Sequence, residues 1–345
     1  MENKNQFFRI HLLILMVATL CIGYGYRAIA KGNPPDAFKQ QERLGKGGNF
    51  GDILYNYNTW DKNAELRQFD MVKEAGFTNL RVCIGPFAHA SKQPPYTLSK
   101  DFFDRLDWTI DQILKRGIAV IIDQHEYHAM AADPAGKKDM FLSTWKQIAE
   151  HYKDYPDNVY FGVLNEPNGK LTSDLWNPLC AQAIKLIRKS NPDRTLVIGG
   201  TDWNNIGGLK DLKLPEDDRN IIVEFHYYDP HHFTHQGASW EKGSDQYLGT
   251  TWRGTPEEKK AMKEDFDVAV KWGKDHNRPL YLGEFGVIFK ADKESKEAWL
   301  RNIVSLANEN HIAWSIWDLC GSEFGIWDDA ANTWDQKMKE AIMPQ

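Results

Sequence analysis

The chain has 345 residues, 42% of them apolar, with 13 Trp and a formal net charge of −6. That apolar and aromatic content excludes a disordered or fibrous chain, and an acidic balance without a basic run argues against nucleic acid as a partner. The length allows one large domain or two smaller ones.

Residues 1–30 read as a targeting segment rather than as part of the fold. Lys4, Arg9 and His11 precede an apolar run from Leu12 to Ile22, and Ala28-Ile29-Ala30 offers small residues to a signal peptidase. The run is short for a membrane span; a retained anchor is the alternative. Cys21 follows Leu20 rather than a small residue, which speaks against lipoprotein processing. The expected division is a secretory signal peptide at 1–30 and a catalytic domain at 31–345. The product would be secreted or periplasmic, with no stable membrane insertion once the signal is removed. Cys83, Cys180 and Cys320 are each flanked by apolar residues and read as buried free thiols, with one disulfide among them as the alternative. No CxxC pair exists, so a thiolate zinc site is not expected.

From about residue 42 strand-like and helix-like patterns alternate without a break. Gly47-Gly48-Asn49-Phe50 reads as a short first strand. Leu66, Phe69 and Val72 fall at helical spacing, and Gly76 ends that helix. Thr78 to Ile84 is the second strand, with Arg81 assigned to its end. Phe103, Leu106, Ile110, Ile113 and Leu114 predict an amphipathic helix closed by Gly117. Ile118 to Asp123 is the third strand, running into Gln124-His125-Glu126, and a helix through Leu142, Trp145, Ile148, Ala149 and Tyr152 follows. The fourth strand, Tyr160-Phe161-Gly162-Val163-Leu164-Asn165-Glu166-Pro167, ends in an amide, a carboxylate and a proline. Pro167 stops the ladder and restricts Glu166 to an extended backbone; alternation puts Gly162, Leu164 and Glu166 on one face.

The second half keeps the rhythm. A helix through Leu175, Leu179, Ala183 and Leu186 leads to a strand at Thr195 to Gly199, and Ile221 to His226 is the sixth strand. A helix around Met262, Phe266 and Ala269 precedes the seventh, Pro279 to Glu284; one through Trp299, Ile303 and Leu306 precedes the eighth, Ile312 to Trp317. Eight such units predict an α/β fold, a single-domain (β/α)8 TIM barrel with strands buried on both faces. An open doubly wound sheet is the alternative, and the lack of a G-x-G-x-x-G after the first strand counts against it.

Barrel chemistry sits where strands end. The polar and aromatic residues there are Arg81, His125, Asn165, Glu166, His226, Tyr228, Glu284 and Trp317. Each has a bland reading by itself: Arg81 pairing a structural carboxylate, His125 a satisfied core histidine, Trp317 packing. Their recurrence at one end of six strands favours a site. Glu166 and Glu284 decide its chemistry, because two carboxylates converging in an aromatic-lined cleft are what glycosidic bond cleavage requires. Arg81 would favour the charged form of one and burial the protonated form of the other, and Tyr228 could hydrogen-bond the nucleophile and lower its pKa.

These dispersed, ordered motifs, from about Leu44 to the C-terminus, resemble glycoside hydrolase family 5, retaining (β/α)8 enzymes of the cellulase and mannanase type. The resemblance implies Glu166 as acid/base, Glu284 as nucleophile, Asn165 on the sugar 2-hydroxyl and Arg81 orienting Glu284. It places His125, His226 and Tyr228 around the cleavage subsite and makes Trp317 a sugar platform. The long segment from Asp229 to Gly254 is expected to be functional. Its run Phe233-Thr234-His235-Gln236-Gly237-Ala238-Ser239-Trp240 resembles a branch containing endoglucanases, some of which also cut mannan, and makes His235 and Trp240 candidate substrate contacts. Four positions depart from that branch: Asp52 stands for Asn, Tyr55 for Glu, Glu126 for His and Asp318 for Glu. Asp52, Tyr55 and Glu126 are therefore expected on the glycone side of the cleft, where they would alter sugar selectivity more than the chemistry.

A metal site from His226, His231, His232 and His235 is the competing reading of the long segment; Pro230 and Gly237 argue against the helix that would bring His231 and His235 together. His125-Glu126-Tyr127-His128 is one residue short of H-E-x-x-H. No metal or cofactor is expected. The favoured function is a β-1,4-glucanase acting on β-linked polysaccharide or oligosaccharide as a monomer, with a mannanase or mixed-linkage glucanase as the alternative. A non-catalytic carbohydrate-binding protein would lack one of the carboxylates, and an esterase would show a G-x-S-x-G elbow, which is absent.

Overall fold

The computed structural model describes residues 36–50, 62–328 and 330–344. Eight parallel strands close in sequence order into a barrel: β1 Lys46–Phe50, β2 Asn79–Ile84, β3 Ala119–Gln124, β4 Val159–Gly162, β5 Leu196–Gly199, β6 Ile221–Tyr227, β7 Leu280–Phe285 and β8 Ala313–Ile316. β1 pairs with β8 through Gly47 and Ser315, so the barrel has no open edge. Helix α1 (Ala37–Leu44) precedes β1; α2 (Lys62–Glu74), α3 (Lys100–Lys115), α4 (Tyr127–Ala132), α5 (Pro134–His151) and α6 (Ser173–Ile187) fill the intervals up to β5. The short α7 (His231–Thr234) and the long α8 (Pro256–His276) follow β6, α9 (Lys293–Glu309) follows β7, and α10 (Gln336–Ile342) ends the eighth unit. A two-stranded ribbon, β9 Trp327–Asp328 with β10 Thr333–Trp334, lies between β8 and α10.

Strand alternation divides the core in two. Leu80, Val82 and Ile84 point outward into the large cluster shared with the helices. The inward side at the N-terminal end of the strands holds Ala119, Ile121, Tyr160, Val197, Ile222, Tyr281 and Ala313. α1 belongs to that inner set: Ala37 and Leu44 pack there, and the Tyr160 hydroxyl donates to Gln40 Oε1 at 2.6 Å. The barrel is thus plugged with apolar side chains at one end, and the polar inward residues of the same strands sit further along, towards the C-terminal end. The helices begin where local chemistry starts them: Ser99 caps α3, Asp292 caps α9, and Thr255 with Glu258 forms a capping box at α8 behind Pro256.

Candidate active site

Arg81 is the hub of the inward polar layer. It lies in the middle of β2, not at its end, and is fully buried. Strand pairing continues past it to Ile84 opposite Gln124, which is why the end assignment from sequence fails. Its guanidinium donates to Glu284 Oε1 at 2.9 Å, Asn49 Oδ1 at 3.0 Å and Asn165 Oδ1 at 2.6 Å. It also pairs with Asp123 and Glu224, each at 3.1 Å. Burial opposes the charge, but Asp123, Glu224 and Glu284 overcome that and hold the group well above its ordinary value.

Glu284 reaches this layer through a bulge. The β6–β7 register advances from Phe225 opposite Leu282 to His226 opposite Glu284, leaving Gly283 as the extra residue. Strict alternation from the inward Tyr281 would turn Glu284 outward; the extra residue turns it in. Only glycine fits there, because a Cβ on Gly283 would lie 1.9 Å from Glu224 Oε1. The Glu284 carboxylate is gripped at both oxygens, Oε1 by Arg81 and Oε2 by the Tyr228 hydroxyl at 2.9 Å. Burial lifts its pKa above the ordinary glutamate value, with His226 and then Arg81 pulling it back. The expected lowering by Arg81 and Tyr228 does not prevail, because Glu284 is buried at 4% exposure and desolvation outweighs its partners. Tyr228, driven well above the ordinary tyrosine value by burial and then by Glu284, stays a donor.

Glu166 faces Glu284 across His226. The regular part of β4 ends at Gly162, but the Val163 N–H still reaches Val197 O at 3.0 Å and the Asn165 N–H reaches Gln124 O at 3.0 Å. Glu166 is not extended, as the following proline led us to expect: its φ is +43°. Proline disfavours the right-handed helical region for its predecessor; here the chain escapes to the left-handed side, braced by the Asn168 amide donating to Glu166 O at 2.7 Å. Such strain costs about 1–3 kcal/mol and gathers at functional sites. His226 Nδ1 lies 2.9 Å from Glu166 Oε1 and 3.7 Å from Glu284 Oε2, and its Nε2 lies 3.5 Å from Glu224 Oε1. A carboxylate oxygen from each of the two glutamates and a ring nitrogen of His226 lie within 4.8 Å of one another. Burial alone would keep His226 neutral, yet Glu284 and hydrogen bonds to Glu166 and Glu224 push its pKa up to about 10.

His125 and Asn165 form the opposite wall. Because Arg81 occupies Asn165 Oδ1, the amide nitrogen faces His125 Nε2 at 3.2 Å and donates to it. The ring proton then belongs on Nδ1, against Asp123 Oδ2 at 2.9 Å. Trp317 lies parallel to His125, with ring centroids 5.6 Å apart and planes at 4°. Glu126 is buried and accepts the Phe87 N–H at 2.6 Å, tying the end of β3 to the turn after β2; burial pushes its pKa up to about 7. Asp52 and Tyr55 lie outside the described residues, as does the 1–30 segment.

The segment after β6 supplies an aromatic flank. His235 meets Tyr228 and Phe324 edge-on at 5.0 and 5.1 Å, and Trp240, 60% exposed, leans on Phe324 at 6.0 Å. Contrary to expectation, Pro230 and Gly237 do not keep His231 from His235. Pro230 stands just before α7, where proline does no harm, Gly237 lies beyond it, and the two imidazoles stack at 4.0 Å. Their nitrogens are engaged elsewhere, His231 Nε2 with Glu241 at 2.9 Å and His235 Nδ1 with Thr234 Oγ1 at 2.9 Å. His226 turns away from both, towards Glu166.

Sequence reasoning missed four participants. Asp123 and Glu224 precede His125 and His226 by two residues, so the two-residue period places each pair on one face and would have found them. Asn204 and Trp203 carried no such signal. Asp202, Trp203 and Asn204 run at φ +65°, +54° and +53°. This run tucks Asn204 against His226, whose N–H donates to Asn204 O at 2.9 Å, and turns Trp203 out, 52% exposed, with its N–H 3.4 Å from Pro167 O. Gly199 makes room, since a Cβ there would lie 2.2 Å from Asn204 Oδ1.

The family model described as cellulase (glycosyl hydrolase family 5) matches residues 45–323. The chain belongs to glycosyl hydrolase family 5. Within that family it is 35% identical over 315 residues to Endoglucanase H of Acetivibrio thermocellus, covering 89% of this chain and 33% of the relative, so it spans about a third of that protein's length. Endoglucanase C of the same species is 26% identical, over 81% of this chain and 92% of the relative. The crystal structure of endoglucanase Cel5A from Thermotoga maritima is 40% identical, with a TM-score of 0.85 over 89% of this chain and all of that one. Cel5A has also been solved with cellobiose and with mannotriose.

Proposed function

We propose that this family 5 chain is a retaining endo-β-1,4-glucanase working through Glu166 and Glu284. The observation that carries the reading is the convergence of the two carboxylates on His226 within 4.8 Å. Retaining chemistry needs the pair about 5–5.5 Å apart, whereas inversion needs room for water and about 6.5–9.5 Å. Glu284 attacks the anomeric carbon through an oxygen held by Tyr228 or Arg81, forming a glycosyl ester as the glycosidic bond breaks. Glu166 gives its proton to the departing oxygen. It then takes a proton from the water that hydrolyses the ester, which restores both groups. His226 Nδ1 lies 2.9 Å from Glu166 Oε1 and 3.7 Å from Glu284 Oε2, and as an imidazolium it steadies the charge of the attacking Glu284 and the charge Glu166 acquires once its proton has left. Asn165 keeps one amide hydrogen for a sugar hydroxyl, His125 and Trp317 give the ring a flat wall, and His235, Trp240 and Glu126 border the binding cleft.

The direct test is reducing-sugar release from carboxymethylcellulose, barley β-glucan, xyloglucan and glucomannan, with Glu284→Gln beside wild type. The reading expects glucan cleavage that the variant loses. Cleavage confined to mannans would keep the mechanism and move the substrate, an alternative favoured by the mannotriose complex of Cel5A. We further propose that residues 31–345 are the exported catalytic domain, a monomer freed by cleavage after Ala30. N-terminal sequencing of protein from the culture medium or periplasm, and its mass in solution, check both.

A further inference from the structure

The segment after β7 is tied down on two sides. The Ile288 N–H donates to Thr234 O at 2.9 Å and the Phe289 N–H to Glu323 O at 2.8 Å, while the Lys290 ammonium donates to Gly237 O. The loops after β6, β7 and β8 are thereby cross-linked through backbone groups. Beneath them Ala238, Ile288 and Phe324 form a small buried cluster, against which Tyr228 and Trp317 of the cleft pack. Phe324 in turn carries Trp240. Next to Ile288 in the chain, Phe289 is 60% exposed. A single exposed apolar residue needs no explanation. This one follows Ile288, a member of the buried cluster that Trp317 and Tyr228 of the cleft pack against and whose Phe324 carries Trp240, equally exposed, so its backbone is held beside the cleft. Lys290 and Glu323, with their charges 3.9 Å apart, flank it with groups that can hydrogen-bond hydroxyls.

We propose that Phe289 is the platform of a distal sugar subsite, taking the apolar face of a pyranose unit several residues from the bond to be cut. The inference rests on the glycanase reading above. An aromatic face offers a sugar's C–H surface a large contact at little entropic cost, and a ring on a cross-linked backbone is already in place before the chain arrives. The subsite would hold long chains and ignore short ones.

Binding tests this apart from catalysis. With Glu284→Gln to stop turnover, dissociation constants are measured for cellotriose and cellohexaose and for their manno counterparts, with and without Phe289→Ala. The expected result is an affinity loss of about 3- to 10-fold for a hexaose. The triose should be unchanged and the hexaose affinity recovered in Phe289→Trp. An unchanged melting temperature would show that the exposed ring was not holding the fold. Equal affinities with and without the ring, or the same loss at both lengths, would overturn the subsite while leaving the glycanase reading intact. Failure of the Glu284→Gln parent to bind any of these chains would instead remove the glycanase reading and the subsite with it.

Discussion

Glu284 carries two opposed influences, and their sum sets how the proposed enzyme should respond to pH. As nucleophile it must be ionised. Burial raises its pKa, so activity should fall on the acid side at a pH above the ordinary glutamate value of about 4.3. His226, protonated up to about pH 10, is the first cation opposing that rise. His226→Gln should therefore move the acid limb of kcat/KM further upward, by about one unit; a limb that stays in place would show that the imidazolium is not what holds Glu284 ionised. The two glutamates should also separate by leaving group. Glu284→Gln is expected to lose on the order of 10⁴-fold or more on every substrate. Glu166→Ala should spare kcat/KM for a dinitrophenyl glycoside, whose leaving group needs no proton, while its kcat falls at the water step, and should fail on cellulose oligomers.

At the scale of elements, the site depends on two places where regular structure is broken. The bulge at Gly283 turns Glu284 inward, and Gly283→Ala would drive a methyl group into Glu224, 1.9 Å from where its Cβ must sit. We expect a loss of about 1–3 kcal/mol in stability, read as a lower denaturation midpoint, together with reduced activity. The left-handed run at 202–204 brings the Trp203 N–H to the carbonyl of Pro167, the residue after Glu166, and leaves the indole exposed. If the exposed indole meets the leaving-group sugar, Trp203→Ala raises KM for oligosaccharides with little change for an aryl cellobioside; equal KM values for wild type and variant on both would show that it does not. These breaks are also where sequence reasoning stopped. Period-two alternation and buried runs locate every barrel strand to within a residue or a few. Alternation alone cannot foresee a register shift, a positive φ before proline, or three consecutive left-handed residues, all of which tertiary contacts impose. The same limit explains the helix after β5's predecessor: Leu175 fits the spacing of α6 but is half exposed, because the buried stripe runs through Trp176, Cys180 and Ile187 instead.

Taken whole, the molecule is a barrel with an apolar plug at one end and a charged layer near the other. The eight-unit rhythm was legible because each buried strand repeats the same bounded apolar run. The plug helix α1 and the closing helix α10 were not, since short elements at the ends of the pattern have no flanking rhythm to mark them. The candidate site was legible as a list of residues and illegible as a circuit: Asp123 and Glu224 look like ordinary strand residues until Arg81 is seen to bind both. With three carboxylates around one guanidinium, the layer is stable only while its charges stay paired. The central claim is that two glutamates this close perform double displacement on a β-1,4-glucan. Proton NMR of cellohexaose during the first minutes of hydrolysis tests it most directly, by the configuration of the new reducing end. The account predicts β-anomer first, with α appearing only as mutarotation proceeds. α-anomer first, or no cleavage of the oligomer, would contradict it.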